Sequence, residues 1–319
     1  MQAARLQGVL TASVFAVLSL ALGGASCGNK SAAKPNDPGP NVPFQEPPGG
    51  APKTNTPATT TPPPAAPKPA PAATPKAEGA PPTGHVAELL EKLPSPCGKA
   101  MSLKKTLDSD PGCKQGPFAK RFVERLASFE LTDDQIGEIY RKRYGAHENY
   151  TFDLRDTPFI GSPNAPVVLV EFYDYGCPHC RDALPILEQE VEQHPKDVVL
   201  YFKLYPLRKE TMDAAKASVA AYRQGKFKEM HQRLFAHQGS QSREDIFGYA
   251  KEVGLDMVKF EKDLNDPATE AKVMANKDEG TKAHLEGTPT LYLNGHQFVD
   301  MLTLDSLNDW IEEEVAVNR

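Results

Sequence analysis

The chain has 319 residues, 36 basic and 42 acidic side chains, a net charge of -6 and a hydrophobic fraction of 39%. It carries no basic block to suggest nucleic acid, and the mild acidity points to no particular charged substrate. The length has room for two domains, but 17 of the 30 prolines fall between Ser31 and Gly84, where apolar residues are too sparse for a core.

The first residues read as an export signal. Arg5 is the one charge before a largely apolar stretch, Val9 to Leu22, which is short for a membrane span. Small residues follow in GGASC, ending at Cys27. A small-residue run closing on a cysteine resembles a bacterial lipoprotein signal. That likeness implies removal of residues 1–26, a lipid on Cys27 and attachment to a membrane. Gly24 stands where such signals usually have Leu, so an ordinary secretory signal is the other reading. Gly28 in place of Asp resembles the outer-membrane class. Either way, the folded part meets an oxidising compartment.

Residues 27–84, with runs such as PPPAAPKPAPAATPKAEGAPPTG, form a disordered Pro/Ala-rich linker. Proline favours extended polyproline II at about 3.1 Å per residue, so some 50 residues span up to roughly 150 Å. The linker is a tether lifting the folded part off a membrane, or a spacer with no ligand of its own.

From residue 85 to 150 the pattern is helical. Val86, Leu89, Leu90 and Leu93 recur at helical spacing, and Phe118, Phe122, Leu126 and Phe129 form a second stripe after Pro117. Thr132 suits an N-cap, with acids in the next turn, bases in the last and Gly145 as terminator. A small bundle of about three helices is expected. Its stretch 96–145 distantly resembles the helical domain of cytochrome c maturation thiol reductases in a cysteine, a Ser-led helix, an arginine-bearing helix and a closing RYG. That family has CxxC here, whereas Cys97 and Cys113 stand far apart, so no thiol activity is carried over.

Residues 151–319 change texture. VVLVEFYDY (167–175) and VVLYFKLYPL (198–207) read as buried strands on either side of a helix, CPHCRDALPILEQEVEQH. Glu210 to His284 is helical almost throughout, and Ser242 with Asp245 makes a capping box. TLYLNGHQFVD turns about Asn294-Gly295 as a hairpin, and a helix carrying Leu304, Leu307, Trp310, Ile311 and Val315 closes the chain. The order predicts an α/β domain with a mixed sheet and a helical insertion.

The GCPHCRD stretch (176–182) holds the chemistry. Haem attachment needs CxxCH, and Arg181 follows Cys180. Structural zinc needs four ligands, and there is no second CxxC, so no metal is expected. A structural bridge across so small a loop constrains little. A redox dithiol remains, which needs no other cofactor. Cys177 sits where strand meets helix, and the positive helix end favours a thiolate there. Pro178 fits the first helical turn, and His179 can add charge or a hydrogen bond to the same sulfur. Cys180, one turn inside, is placed to resolve a mixed disulfide.

With these motifs in order, the segment from about Asp153 to Arg319 resembles the DsbA-type periplasmic thiol oxidoreductases, which have a thioredoxin fold with a helical insertion. CPHC matches their active-site motif, Glu171 their buried acid six residues earlier, and Pro185 the proline in the active-site helix. GTPT (287–290) resembles their cis-proline loop, which makes Thr288 and Pro289 substrate-binding residues. GKFKEMHQRLFAHQ also has the family's look. The resemblance implies donation of disulfides to the thiols of exported proteins, with a membrane redox partner to reset the dithiol. An isomerase or reductase kept reduced by a partner is the alternative, and an envelope assembly or binding module is a third reading.

Glu171 shares a strand face with Tyr173 and Tyr175. It serves either as proton acceptor for Cys180 or as a structural acid paired with Lys203. Lys203 is read as that partner or as an edge residue pointing to solvent. With Cys27 and the active pair set aside, Cys97 and Cys113 are left to form a structural disulfide. His194, His231, His237 and His284 read as surface or helix-end residues, and Met212, Met230, Met257 and Met274 as core fillers.

Overall fold

A computed structural model describes residues 83–146 and 148–318. The expected export signal, Cys27 and nearly all of the proline-rich segment lie outside the described residues.

The first four helices are α1 (Thr83–Lys92), α2 (Leu103–Ser109), α3 (Gly116–Leu126) and α4 (Asp133–Tyr144). Four helices stand where about three were expected. The extra one, α2, has seven residues and buries only Leu103 and Thr106, too little to show as a stripe. The apolar stripes of α1 and α3 meet Ile136 and Tyr140 of α4 in one small core. Thr132 caps α4 in a reciprocal box with Gln135.

Cys97 and Cys113, in the loops flanking α2, are joined by a disulfide with Cα atoms 5.9 Å apart. A core this small gains from a closed loop. Replacing both cysteines with Ala is expected to lower stability by about 3 kcal/mol, the chain-entropy value for a loop near this length. Denaturant unfolding checks this, and an unchanged midpoint would show that packing alone holds the bundle.

The second part is built on β1 (Phe159–Gly161), β2 (Val167–Tyr173), α5 (Pro178–Gln193) and β3 (Val198–Leu204). The helical insertion follows as a short 3-10 turn (Lys209–Thr211), α6 (Met212–Tyr222), α7 (Phe227–Ala236), α8 (Arg243–Glu252), α9 (Met257–Asn265) and α10 (Pro267–Lys282). The chain closes with β4 (Thr290–Leu293), β5 (His296–Gln297) and α11 (Leu304–Asn318). The sheet order is β1-β3-β2-β4-β5, with β2 and β3 parallel and the other pairs antiparallel. The architecture is the thioredoxin fold with an inserted helical subdomain. Strand β1 was not anticipated, since its three residues are largely exposed and carry no alternation.

Alternation on the central strands separates two cores. Val167, Leu169 and Tyr173 face α5, α6, α7 and α11. Val170, Phe172, Val199 and Tyr201 face the opposite way, toward Tyr150, Phe152, Leu154 and Ala283.

That parity corrects both readings of Lys203. In the β2–β3 register Lys203 lies opposite Phe172, and Glu171 lies opposite Phe202. Successive side chains point to opposite faces, so Lys203 and Glu171 are on different sides of the sheet. Nor does Lys203 reach solvent, because β3 lies between β1 and β2 and the side chain is buried. Its ammonium pairs with Glu279 and Asn276 of α10.

Two further readings change. His231 is a buried core residue on α7. It sits four residues after Phe227 and three before Leu234, on the apolar stripe itself. Met274 is 38% exposed, so it is no core filler.

The two parts are joined by charge and by rings. Arg121 donates to Asp309 at 2.6 Å, Arg125 to Asp300 at 2.8 Å, and buried Arg143 to Glu313 of α11. The Arg143 guanidinium also lies 3.9 Å from the Trp310 ring centroid. Burial pushes the Glu313 carboxyl up, and Arg143 pulls it back.

Candidate active site

Strand β2 ends at Tyr173, two residues earlier than its apolar run suggests. The cause is Asp174. Its two carboxylate oxygens accept from the Gly176 N–H at 3.0 Å and the Leu207 N–H at 3.1 Å, tying the ends of β2 and β3 together. The chain then turns through Tyr175-Gly176 into α5. Gly176 leaves room for its neighbours: a Cβ there would lie 2.5 Å from Arg208 Nη2 and 2.6 Å from Thr211 Cγ2, so both side chains would have to shift.

Cys177 is the N-cap of α5 and Pro178 occupies its first turn, where a missing N–H costs nothing. A 16-residue helix therefore directs its positive end at this residue. Both cysteines are free thiols. Cys177 is 9% exposed and Cys180 fully buried, so the first is the more accessible. His179 is exposed. Cys177 Sγ donates to the Thr288 carbonyl, far along the chain, at 3.1 Å. The Thr288–Pro289 bond is cis, and the loop carrying it lies directly over the dithiol.

Glu171 is on the face of β2 that holds Tyr173, with 1% exposure. Neither carboxyl oxygen has a hydrogen-bond partner among the described residues. Burial pushes its pKa up to about 8. Burial also raises the Cys180 thiol well above its ordinary value, and the nearby Glu171 charge adds to the shift. The two groups thus sense each other inside an apolar environment. Beyond Glu171 the same face carries a polar chain. Tyr173 and Tyr175 hydroxyls are 3.2 Å apart, and Tyr175 meets His231 Nδ1 at 2.9 Å. Burial holds His231 down to about 3, so the imidazole is neutral.

The sequence alone gives no role to three side chains near the dithiol. Gln238 and Gln241, in the turn between α7 and α8, donate to the Tyr175 carbonyl at 3.0 and 3.2 Å. Gln238 also donates to the Cys177 carbonyl at 2.7 Å, and Arg208 to the Gly176 carbonyl at 3.0 Å. Gln238 ends GKFKEMHQRLFAHQ, which has the family's look without giving this residue a role, and Gln241 falls in a span that reads as helical almost throughout. All three line a cleft of about 820 Å³ beside the dithiol turn. Among the described residues no group of His, Cys, Asp and Glu is arranged to hold a metal ion.

The thioredoxin family model matches residues 153–313, half of the chain. The chain belongs to the thioredoxin family. Its paired cysteines at the strand–helix junction fit thiol–disulfide oxidoreductase activity, which uses a redox-active disulfide in place of a bound cofactor. Among solved structures, a thioredoxin-like oxidoreductase from Silicibacter pomeroyi DSS-3 is similar at 29% identity. It covers 50% of this chain and 91% of that one, with a TM-score of 0.46. The thiol-disulfide exchange protein alpha-DsbA2 from Wolbachia pipientis is similar at 26% identity, covering 50% and 87%, also with a TM-score of 0.46. A curated relative, the Na(+)/H(+) antiporter NhaA 1 of Mycobacterium sp. (strain KMS), is 39% identical over 141 residues. That alignment covers 42% of this chain and 23% of the antiporter, so the chain spans about a quarter of the length of such relatives. Among the described residues no helix is long and apolar enough to cross a membrane.

Proposed function

We propose that this thioredoxin-family protein donates disulfides to exported proteins through Cys177 and Cys180. The observation that carries the reading is the Cys177 sulfur at the N-terminus of α5, 3.1 Å from the Thr288 carbonyl, with Cys180 buried one turn behind it. A substrate thiolate attacks Cys177 Sγ of the oxidised pair, forming a mixed disulfide and breaking the Cys177–Cys180 bond. Cys180 leaves and takes a proton. A second substrate thiolate then attacks the substrate sulfur of the mixed disulfide, closing the substrate's disulfide and releasing Cys177.

Two electrons pass to the protein, so a membrane redox partner must remove them before the next cycle. Thr288 and Pro289 lie against the sulfur, where an extended substrate segment can pair with exposed backbone. Glu171, neutral at pH 7 with its pKa near 8, is the proton donor to Cys180 in this direction and its acceptor in reverse. His179, exposed in the first turn, is available to incoming substrate. Cys27 as a lipid anchor and the proline-rich segment as a tether would hold this chemistry at the envelope, facing the periplasm.

The direction is set by which redox form is stabilised. Potentials in this fold run from about -270 mV for a reductant to about -120 mV for an oxidant, a span of about 7 kcal/mol. Equilibration of the full-length chain with glutathione is expected to place the pair near the oxidising end, with rapid oxidation of a reduced, unfolded protein. A value near the reducing end, with efficient reduction of insulin, would instead establish the isomerase or reductase reading. No exchange in either assay would leave an assembly or binding module.

A further inference from the structure

The three carbonyls of the turn that carries the attacking thiol all accept hydrogen bonds from side chains. Tyr175 takes two, from Gln238 and Gln241, Gly176 takes one from Arg208, and Cys177 takes one from Gln238. Gln238 alone spans two of them, at 3.0 and 2.7 Å. The donors stand on the wall of the cleft, so the carbonyl oxygens of the turn are drawn to that side.

The clamp is itself braced from the insertion. Ser240 N–H closes the turn on the His237 carbonyl at 2.9 Å, and Tyr249 of α8 donates to the Ser240 carbonyl at 2.6 Å. The His237 ring stacks on Tyr249 with centroids 5.1 Å apart. Gln241 also donates to the Leu234 carbonyl at 3.0 Å, fixing the end of α7. Gln238 is therefore held on both sides.

We propose that Gln238 is a positioning residue that tunes the reactivity of Cys177 by holding and partly neutralising the carbonyls of Tyr175 and Cys177. The proposal rests on Cys177 being the attacking thiol. The Cys177 carbonyl belongs to the same residue as the sulfur, and its oxygen carries negative partial charge. A donor on that oxygen reduces the repulsion it exerts on a neighbouring thiolate, and it fixes the residue as the N-cap facing the helix end. Removing the donor leaves that oxygen with only the longer bond from the Arg181 N–H, at 3.3 Å. The thiolate then forms less readily, and the disulfide becomes a weaker oxidant.

The test uses the full-length chain and the variants Gln238→Met, which keeps length but has no donor, and Gln238→Lys, which restores one. Cys177 alkylation by iodoacetamide at pH 6 is followed by mass spectrometry, together with the glutathione equilibrium and the denaturant midpoint. Gln238→Met is expected to slow alkylation and move the glutathione equilibrium toward the disulfide, each by roughly three- to tenfold, the effect of one ordinary hydrogen bond. Gln238→Lys should recover most of both, with neither variant moving the denaturant midpoint appreciably. Wild-type alkylation in Gln238→Met, or equal losses in Met and Lys variants alongside a lower midpoint, would overturn the proposal. Failure of the wild-type chain to exchange with a protein disulfide would refute the functional reading alone, because the alkylation comparison needs no substrate.

Discussion

Cys177→Ser is expected to reduce thiol–disulfide exchange to background, and Cys180→Ser to leave attack intact but accumulate mixed disulfides. The asymmetry follows from position. Cys177 ends the turn at the helix N-terminus and retains some exposure, whereas Cys180 has none and its thiol is held strongly protonated. Only the first can meet a substrate sulfur. Only the second is fixed within the first turn, where it competes with external thiols for the mixed disulfide. A well-placed internal thiol acts at an effective concentration of at least molar order, against millimolar external thiol. Its loss should therefore lengthen the intermediate's lifetime by roughly a thousandfold. Non-reducing gels and mass spectrometry after mixing with a protein substrate would show the trapped adduct. Adducts attached through Cys180, or full turnover by Cys177→Ser, would reverse the assignment.

Features set by neighbouring residues were legible in the sequence. The strand–turn–helix around CPHC, the Thr132 N-cap, the capping pair Ser242–Asp245 and the Asn294-Gly295 hairpin each need only a few adjacent side chains. Features set by register or by distant segments were not. Whether Lys203 faced Glu171 depended on a one-residue choice of parallel register, and its real partner Glu279 lies 76 residues on, in α10. The hold of Gln238 on Cys177 spans 61 residues, with three α-helices and a strand that had to be placed first. His231 was different. Its place on the apolar stripe of α7 was visible, and the assumption that histidine seeks the surface overrode the period.

The unpartnered Glu171 is expected to give the second large effect, in two separable measurements. With Lys203 on the other face of the sheet, no cation among the described residues offsets burial of the carboxylate, and its pKa stands near 8 against an ordinary 4.5. Below pH 4.5 the group is protonated whether the chain is folded or not, and it has no effect on stability. Between 4.5 and 8 it ionises only when unfolded, so stability falls as pH rises. Above 8 the cost levels off. At about 1.4 kcal/mol per unit the cost is on the order of 3 kcal/mol at pH 7 and 5 kcal/mol at pH 8 and above. Glu171→Gln mimics the neutral acid and removes that cost. The variant should match wild type below pH 4.5 and exceed it increasingly up to pH 8, as read from denaturant unfolding across pH.

The same substitution removes the group able to take or give the Cys180 proton. Resolution of mixed disulfides should slow by about 10²-fold or more, the usual scale for a lost general acid–base, while Cys177 alkylation stays nearly unchanged. A stability gain with undiminished resolution would make Glu171 a buried acid without a catalytic role. Slower resolution without the pH-dependent gain would mean that the folded carboxyl ionises as easily as in water. Only the two effects together support a carboxyl kept neutral by burial so that it can exchange a proton with the second cysteine.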